Sequence, residues 1–170
     1  MKRLTLLRHA KSSWGDPHLE DFDRPLNDRG WKAARRMGRE LAHRAIAFDL
    51  IIASPAARVR ETIDGLTERL KLNVDIRFEP RMYGATPQTL LGIVRDLPEN
   101  AHAPLMVGHN PGLQEFLLEL TADNGKLRDR VAGKFPTAAL AQVNLPADQW
   151  TTVELGTGEI ADLILPKELD

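Results

Sequence analysis

The chain contains no cysteine. That removes disulfide staples, thiolate metal ligands and any cysteine nucleophile, so phosphatases that attack with a thiolate are excluded. Long apolar runs are also missing. The N-terminus, Met1-Lys2-Arg3-Leu4, is basic, but the apolar run that follows, Leu4-Thr5-Leu6-Leu7, is only four residues long. A secretory signal needs a longer apolar core and a small-residue cleavage site, and a membrane helix needs ~20 apolar residues. The expectation is a soluble, cytoplasmic protein. Neither sign of charge dominates: 23 Lys and Arg stand against 24 Asp and Glu, a formal net charge of -1. That balance gives no global attraction to nucleic acid or anionic membrane, and neither is expected as a partner. A local basic site remains compatible with it. No internal repeat, linker or low-complexity tract is visible. What is present is an ordinary globular balance, 42% hydrophobic and 28% charged over 170 residues, which fits one domain spanning 1–170.

Apolar runs and capping signals alternate along the chain. Leu4-Thr5-Leu6-Leu7 reads as a buried strand and ends in Arg8-His9-Ala10. Residues 11 to 26 form a long polar loop with turns at Asp16-Pro17 and Arg24-Pro25; loops of that length are usually functional or mobile. Asn27 or Asp28 caps a helix to about Arg44, whose core face is Ala33, Ala34, Met37, Leu41 and Ala45. Gly30 and Gly38 within it signal close packing or a weak helix, and Lys32, Arg35, Arg36, Arg39 and Arg44 read mostly as a solvated face. Asp49 to Ala53 is a second strand. Ser54-Pro55 then reads as the N-cap and first residue of a helix to about Leu70, with Arg58 in its first turn. Val74 to Phe78 is a third strand, Thr86-Pro87 opens another helix that Pro98 stops, and Pro104 to Val107 is a fourth strand ending in Gly108-His109-Asn110. A helix over Leu113–Leu120, a polar stretch with a turn at Asn124-Gly125, and strands over Ala138–Leu145, Thr151–Leu155 and Glu159–Leu165 complete the reading. This alternation predicts a three-layer α/β/α domain on a mostly parallel sheet.

The strand ends carry the chemistry. Ligands of open α/β sheets bind at the carboxyl ends of the strands. Arg8-His9, Ser54 to Arg58, Tyr83-Gly84 and Gly108-His109-Asn110 each follow a strand. In a parallel sheet those ends share one edge, so two arginines and two histidines would converge. Arginine forks bind phosphate oxygens bidentately. Phosphoryl transfer depends mainly on positioning and electrostatic stabilisation. A neutral imidazole can attack phosphorus, and a second can hydrogen-bond the phosphoryl oxygens. The helix start at Ser54 is expected to add a positive dipole on the same side.

These residues resemble the histidine phosphatase superfamily, also called phosphoglycerate-mutase-like. The likeness rests on Leu7-Arg8-His9-Ala10, Ser54-Pro55-Ala56-Ala57-Arg58 and Gly108-His109-Asn110. Arg8-His9-Ala10-Lys11-Ser12, Asp23-Arg24-Pro25-Leu26, Arg29-Gly30 and Val107 to Gly112 are similar to the short SixA-type phosphohistidine phosphatases. The resemblance implies a phosphoglycerate-mutase-like fold, His9 as the transiently phosphorylated nucleophile, and Arg8, Arg58 and His109 as the rest of the phosphate pocket. It implies no metal and no cofactor. His18, His43 and His102 show no ligand spacing and read as surface residues. Lys11, Ser12 and Arg24 either contact substrate or hold the first loop in place.

Relatives that hydrolyse phosphate esters use a carboxylic acid after the third strand. Glu79 is the nearest candidate here, and a solvated strand-end residue is an equal reading. An alkoxide leaving group needs a proton, whereas a protonated phosphohistidine can release neutral imidazole. The segment before Thr86 is too short for a lid domain, which leaves the pocket open to a phosphohistidine on another protein. The expectation is therefore a phosphohistidine phosphatase acting on a signalling or carrier protein. The alternatives are a phosphatase of small phosphate monoesters using Glu79, and a phosphate-binding module without turnover. Nothing in the residues sets the oligomeric state or requires more than a monomer. Two other patterns carry no function: Asp21-Phe22-Asp23 sits in a loop rather than at a strand end, and Gly156-Thr157-Gly158-Glu159-Ile160-Ala161 lacks the strand and full helix that a dinucleotide site needs.

Overall fold

The first apolar run forms the centre of the sheet. In the computed structural model, which describes residues 1–123 and 125–169, it becomes β1 (Lys2–Arg8). The other strands are β2 (Leu50–Ala53), β3 (Asp75–Phe78), β4 (Pro104–Gly108), β5 (Leu140–Leu145) and β6 (Glu159–Ile164), and the sheet order is β3-β2-β4-β1-β5-β6. The first four run parallel, and β5 and β6 add antiparallel at one edge. The sheet is therefore mixed, with a parallel half that carries the site.

Alternation along the central strands feeds two cores, because successive side chains point to opposite faces. Leu4, Leu6, Leu50, Ile52 and Met106 pack on one face with residues of α3 (Pro87–Arg95), α4 (Gly112–Leu120) and, through Val131, α5 (Lys126–Gly133). Leu7, Ile51, Ala53, Leu105 and Val107 pack on the other with α1 (Asp28–His43) and α2 (Ala57–Thr67). The result is the three-layer α/β/α arrangement. Asn27 caps α1 by accepting from the Gly30 N–H, and Thr86 caps α3 by accepting from Thr89 N–H. Gly30 and Gly38 are there for close approach: a Cβ would lie 2.1 Å from the Lys11 carbonyl oxygen at the first and 2.2 Å from that of Leu66 at the second.

Three sequence expectations are corrected. Ser54 does not cap α2. Its backbone N–H continues the strand ladder to Val107 O at 3.1 Å, and the helix begins at Ala57 after an uncapped turn. The helix-terminal dipole therefore lies two residues later than expected. Thr151–Leu155 is not a strand. A 3-10 turn spans Trp150–Thr152, because the buried Trp150 donates its indole N–H to Ala101 O at 2.8 Å and its backbone N–H to Glu99. Finally, α5 lies in the stretch read only as polar. It buries just Val131, so it shows no apolar period. Asn124 of the expected Asn124-Gly125 turn lies outside the described residues.

Candidate active site

Strand register assembles the site. Arg8 pairs with Gly108 across β1 and β4, and Ala53 pairs with Val107 across β2 and β4. The residues that follow these pairs, His9, Ser54 and His109, must then come off neighbouring strand ends. The His9 backbone N–H bonds the Gly108 carbonyl at 3.0 Å, and the two imidazole centroids lie 5.2 Å apart. Arg58, in the first turn of α2, reaches in from the flank. Its Nε donates toward His9 Nε2 at 3.4 Å. His9 and Arg58 are both buried.

Hydrogen bonds fix the state of each ring. His9 Nδ1 lies 2.7 Å from the Ala10 carbonyl. A carbonyl only accepts, so Nδ1 carries the proton and Nε2 keeps its lone pair. Burial pushes the His9 imidazole down to about 4, with Arg58 and Arg8 adding to the shift against the Ala10 bond. The ring is therefore neutral at physiological pH. His109 Nε2 sits 2.8 Å from Ser54 Oγ, which itself accepts from the Ala56 N–H at 3.3 Å. A hydroxyl oxygen carries two lone pairs, so this bond holds the His109 ring in place in either tautomer, and His109 Nδ1 is buried without a partner among the described residues. Burial first, then the neighbouring His9 and Arg58, push His109 down to about 3.

Arg8 Nη1 donates to the Phe135 carbonyl at 3.2 Å, which also accepts from Asn110 Nδ2 at 2.9 Å. Its Nε is buried and unpartnered among the described residues. Two guanidinium groups, a second imidazole and the free lone pair of His9 thus converge. Such a set can hold a tetrahedral oxyanion and offer a nitrogen nucleophile to its centre. Among the described residues, no group of three or more His, Asp or Glu is arranged to hold a metal ion. His18, His43 and His102 are exposed and lie apart from the pair.

Comparisons with known proteins identify the family. Residues 4–86 match the sequence profile of the histidine phosphatase superfamily (branch 1). The uncharacterized protein ML1117 of Mycobacterium leprae is 31% identical over 166 residues, covering 95% of this chain and all of the relative. The chain belongs to the histidine phosphatase superfamily. Among solved structures of the superfamily, a candidate phosphohistidine phosphatase SixA from Agrobacterium tumefaciens is 30% identical with a TM-score of 0.83, covering 97% of this chain and 98% of its own. The protein histidine phosphatase SixA complexed with tungstate shares the fold at 20% identity, with a TM-score of 0.81 and 98% coverage of both chains.

This histidine phosphatase carries further site residues that the sequence reading missed. Asp21 grips Arg58 from the side opposite His9: its carbonyl accepts from Nη1 at 2.7 Å and its carboxylate from Nη2 at 3.0 Å. Tyr83 donates its hydroxyl to the same carboxylate at 2.6 Å and sets its ring edge-on to His109, with centroids 5.5 Å apart. The Tyr83 bond, then Arg58, hold the Asp21 carboxyl below the usual carboxylate range. Thr62 ties the loop after the strand to the helix: it accepts from the Ala10 N–H at 2.9 Å and donates to Arg58 O at 2.6 Å. Ser54, read as a cap, instead holds the His109 ring through Nε2 at 2.8 Å. The sequence signals were Asp21-Phe22-Asp23, set aside because it sits in a loop, and Tyr83-Gly84, grouped with the strand ends but given no role.

The remaining candidates separate. Glu79 accepts from the Arg81 guanidinium at 2.8 Å and from its backbone N–H at 3.0 Å, and these bonds hold its carboxyl low. Ser12 forms a bridge with Leu26, and Arg24 donates to Ser13 O at 3.4 Å while its guanidinium stacks 3.5 Å over Trp14. Both hold the first loop. Lys11 is exposed.

Proposed function

We propose that the protein is a cytoplasmic phosphohistidine phosphatase that removes the phosphoryl group from a histidine of a signalling or carrier protein. His9 Nε2 attacks phosphorus and the P–N bond to the substrate ring breaks. The electron pair leaves with that imidazole, which is neutral on departure if its second nitrogen was already protonated. His9 becomes a phosphoimidazolium, its Nδ1–H still bonded to the Ala10 carbonyl. Water then attacks phosphorus, the second P–N bond breaks, and neutral His9 is regenerated with release of inorganic phosphate. Arg8 and Arg58 bind the equatorial oxygens, and the His109 imidazole supplies a further hydrogen bond. Lys11 contacts the incoming substrate at the mouth, and Ser12 acts by shaping that loop.

The observation that carries this reading is the state of the two carboxyl groups near the site. Asp21 is held low by Tyr83 and Arg58, and Glu79 by Arg81. A general acid working near neutral pH needs its pKa raised, not lowered. Imidazole-to-imidazole transfer exchanges one P–N bond for another and has little need of such an acid. The phosphohistidine phosphatase name of the Agrobacterium relative supports the same substrate class.

The test compares hydrolysis of a phosphohistidine-bearing protein with that of a panel of phosphate monoesters. Wild type is expected to prefer the phosphohistidine, and His9→Ala to lose turnover by at least about a thousandfold. Efficient ester hydrolysis that falls with Glu79→Gln would replace the proposal with a monoester phosphatase. Phosphate binding with no turnover of either substrate would replace it with a binding module.

A further inference from the structure

A cleft of about 490 Å³ opens beside the site, between α1, the 134–137 segment and the chain end at Pro166 and Lys167. Six cations line it: Lys11, Arg29, Lys32, Arg36, Lys134 and Lys167. The other wall residues are alanine, proline and threonine, with no carboxylate among them. Arg29, Lys32 and Arg36 recur at three- and four-residue spacing, so they share one face of α1. Arg35, on the same helix, pairs with Glu68, and Arg44, just past its end, pairs with Glu40 and Asp162, while Arg39 is exposed. No cation lining the cleft forms an ion pair with a described carboxylate, and Arg36 Nε is buried without a partner among the described residues. Arg35 and Arg44 are thus neutralised within the chain, whereas the cations of the cleft are left open. In a protein of net charge -1, this concentration of unpaired positive charge is local.

The cleft shares a wall with the site. The Ala138 N–H bonds the carbonyls of both Arg8 and His9 at 3.0 Å, and the Phe135 carbonyl takes Arg8 Nη1. Pro136 and Thr137, between them, line the cleft. Lys11 follows His9 by two residues, and its carbonyl accepts from Asn27 N–H at 3.0 Å, which draws the first turn of α1 up to the site. Through this wall and Lys11, a macromolecule that presents a phosphoryl group to His9 brings its neighbouring surface toward these cations. We propose that the cleft docks an acidic protein face flanking the substrate phosphohistidine. The inference rests on the phosphohistidine reading and names the kind of protein that carries the group. A nucleic acid fits less well, because no aromatic side chain lines the cleft to stack a base. Complementary charge at such a rim acts mainly by accelerating encounter, and salt screens it.

The probes are two synthetic peptides of equal length, each carrying one phosphohistidine, flanked by glutamates in one and glutamines in the other. Wild type is expected to hydrolyse the glutamate peptide with a kcat/KM about tenfold higher at low ionic strength, a preference that shrinks as salt is added. In the double variant Arg29→Glu, Lys32→Glu the preference should vanish. Turnover of the glutamine peptide should stay within about twofold, which also reports that the variant is folded. The milder Arg29→Gln, Lys32→Gln pair should fall between. Equal rates on both peptides in wild type, or a preference that survives charge reversal, overturns the docking assignment. If neither peptide is hydrolysed, the phosphohistidine reading fails, and binding of a labelled, unphosphorylated glutamate peptide judges the cleft separately. Affinity lost on charge reversal supports it, and absence of binding overturns it. Tighter binding of a single-stranded oligonucleotide of equal charge would reassign the cleft.

Discussion

At the residue scale, Asp21 is the group whose role is least obvious and most testable. Arg58 must face a phosphoryl dianion, yet it is clamped by an anion, through the Asp21 carbonyl and carboxylate on Nη1 and Nη2. The clamp fixes the plane of the guanidinium so that Nε addresses His9 Nε2. It also sets a negative charge beside the oxyanion site. Asp21 is thus a positioning residue with two opposed effects, and two variants separate them. Asp21→Asn keeps an oxygen for Tyr83 and removes the charge, so inorganic phosphate should inhibit about threefold more strongly at low salt; the gain is small because the carboxylate is half exposed and screened. Asp21→Ala keeps the carbonyl bond to Nη1 but removes the carboxylate from Nη2 and Tyr83, loosening the guanidinium, so kcat should fall about tenfold with a smaller change in KM. Inhibition constants and the split between kcat and KM check both; unchanged values in both variants would make Asp21 an ordinary loop residue. Nothing in the local sequence announces this pairing, since the partners lie 37 and 62 positions away.

At the scale of elements, the sheet was legible because its central strands are buried on both faces. Leu4 to Leu7, Leu50 to Ala53 and Pro104 to Val107 appear as uninterrupted apolar runs. The polar residues after each run then fall on one edge, and so Arg8, His9, Arg58 and His109 could be brought together on paper. Elements fixed by distant contacts were not legible. The Trp150 turn depends on Ala101 and Glu99, and α5 shows the chain only one buried residue. Gly38 shows a local signal with two readings that packing resolves. Alanine is the better helix former, and propensity alone predicts a stabilising change of roughly 1 kcal/mol for Gly38→Ala. The added Cβ would lie 2.2 Å from the Leu66 carbonyl oxygen, a backbone atom that cannot swing aside. Steric cost wins, and α1 must move away from α2. Gly38→Ala is expected to destabilise the fold by about 1–3 kcal/mol, lowering Tm by several degrees. Thermal unfolding followed by circular dichroism checks it; a Tm equal to or above wild type would mean that the helix pair separates without cost.

At the scale of the whole molecule, the site is a store of pH-dependent free energy. His9 and His109 are buried as neutral rings, lowered to about 4 and about 3. In the unfolded chain both would titrate near 6.5. Between those limits the unfolded state binds more protons than the native state, so stability rises with pH across the interval. The contribution is complete above about pH 6.5 and is lost as pH falls toward the folded values. Asp21 and Glu79, also lowered, follow the same sign but only below the ordinary carboxylate range, so the window between about pH 4.5 and 6.5 belongs to the histidines. At about pH 5 each ring costs roughly 2 kcal/mol relative to neutral pH, the product of about 1.5 pH units and 1.36 kcal/mol per unit. A loss approaching 4 kcal/mol is a large fraction of the 5–15 kcal/mol typical of a folded domain. Urea unfolding at about pH 7 and pH 5 should show that loss in wild type and roughly half of it in His109→Gln, which removes one titrating ring and retains a polar side chain beside Ser54. Equal losses in the two proteins would place the pH sensitivity elsewhere in the fold.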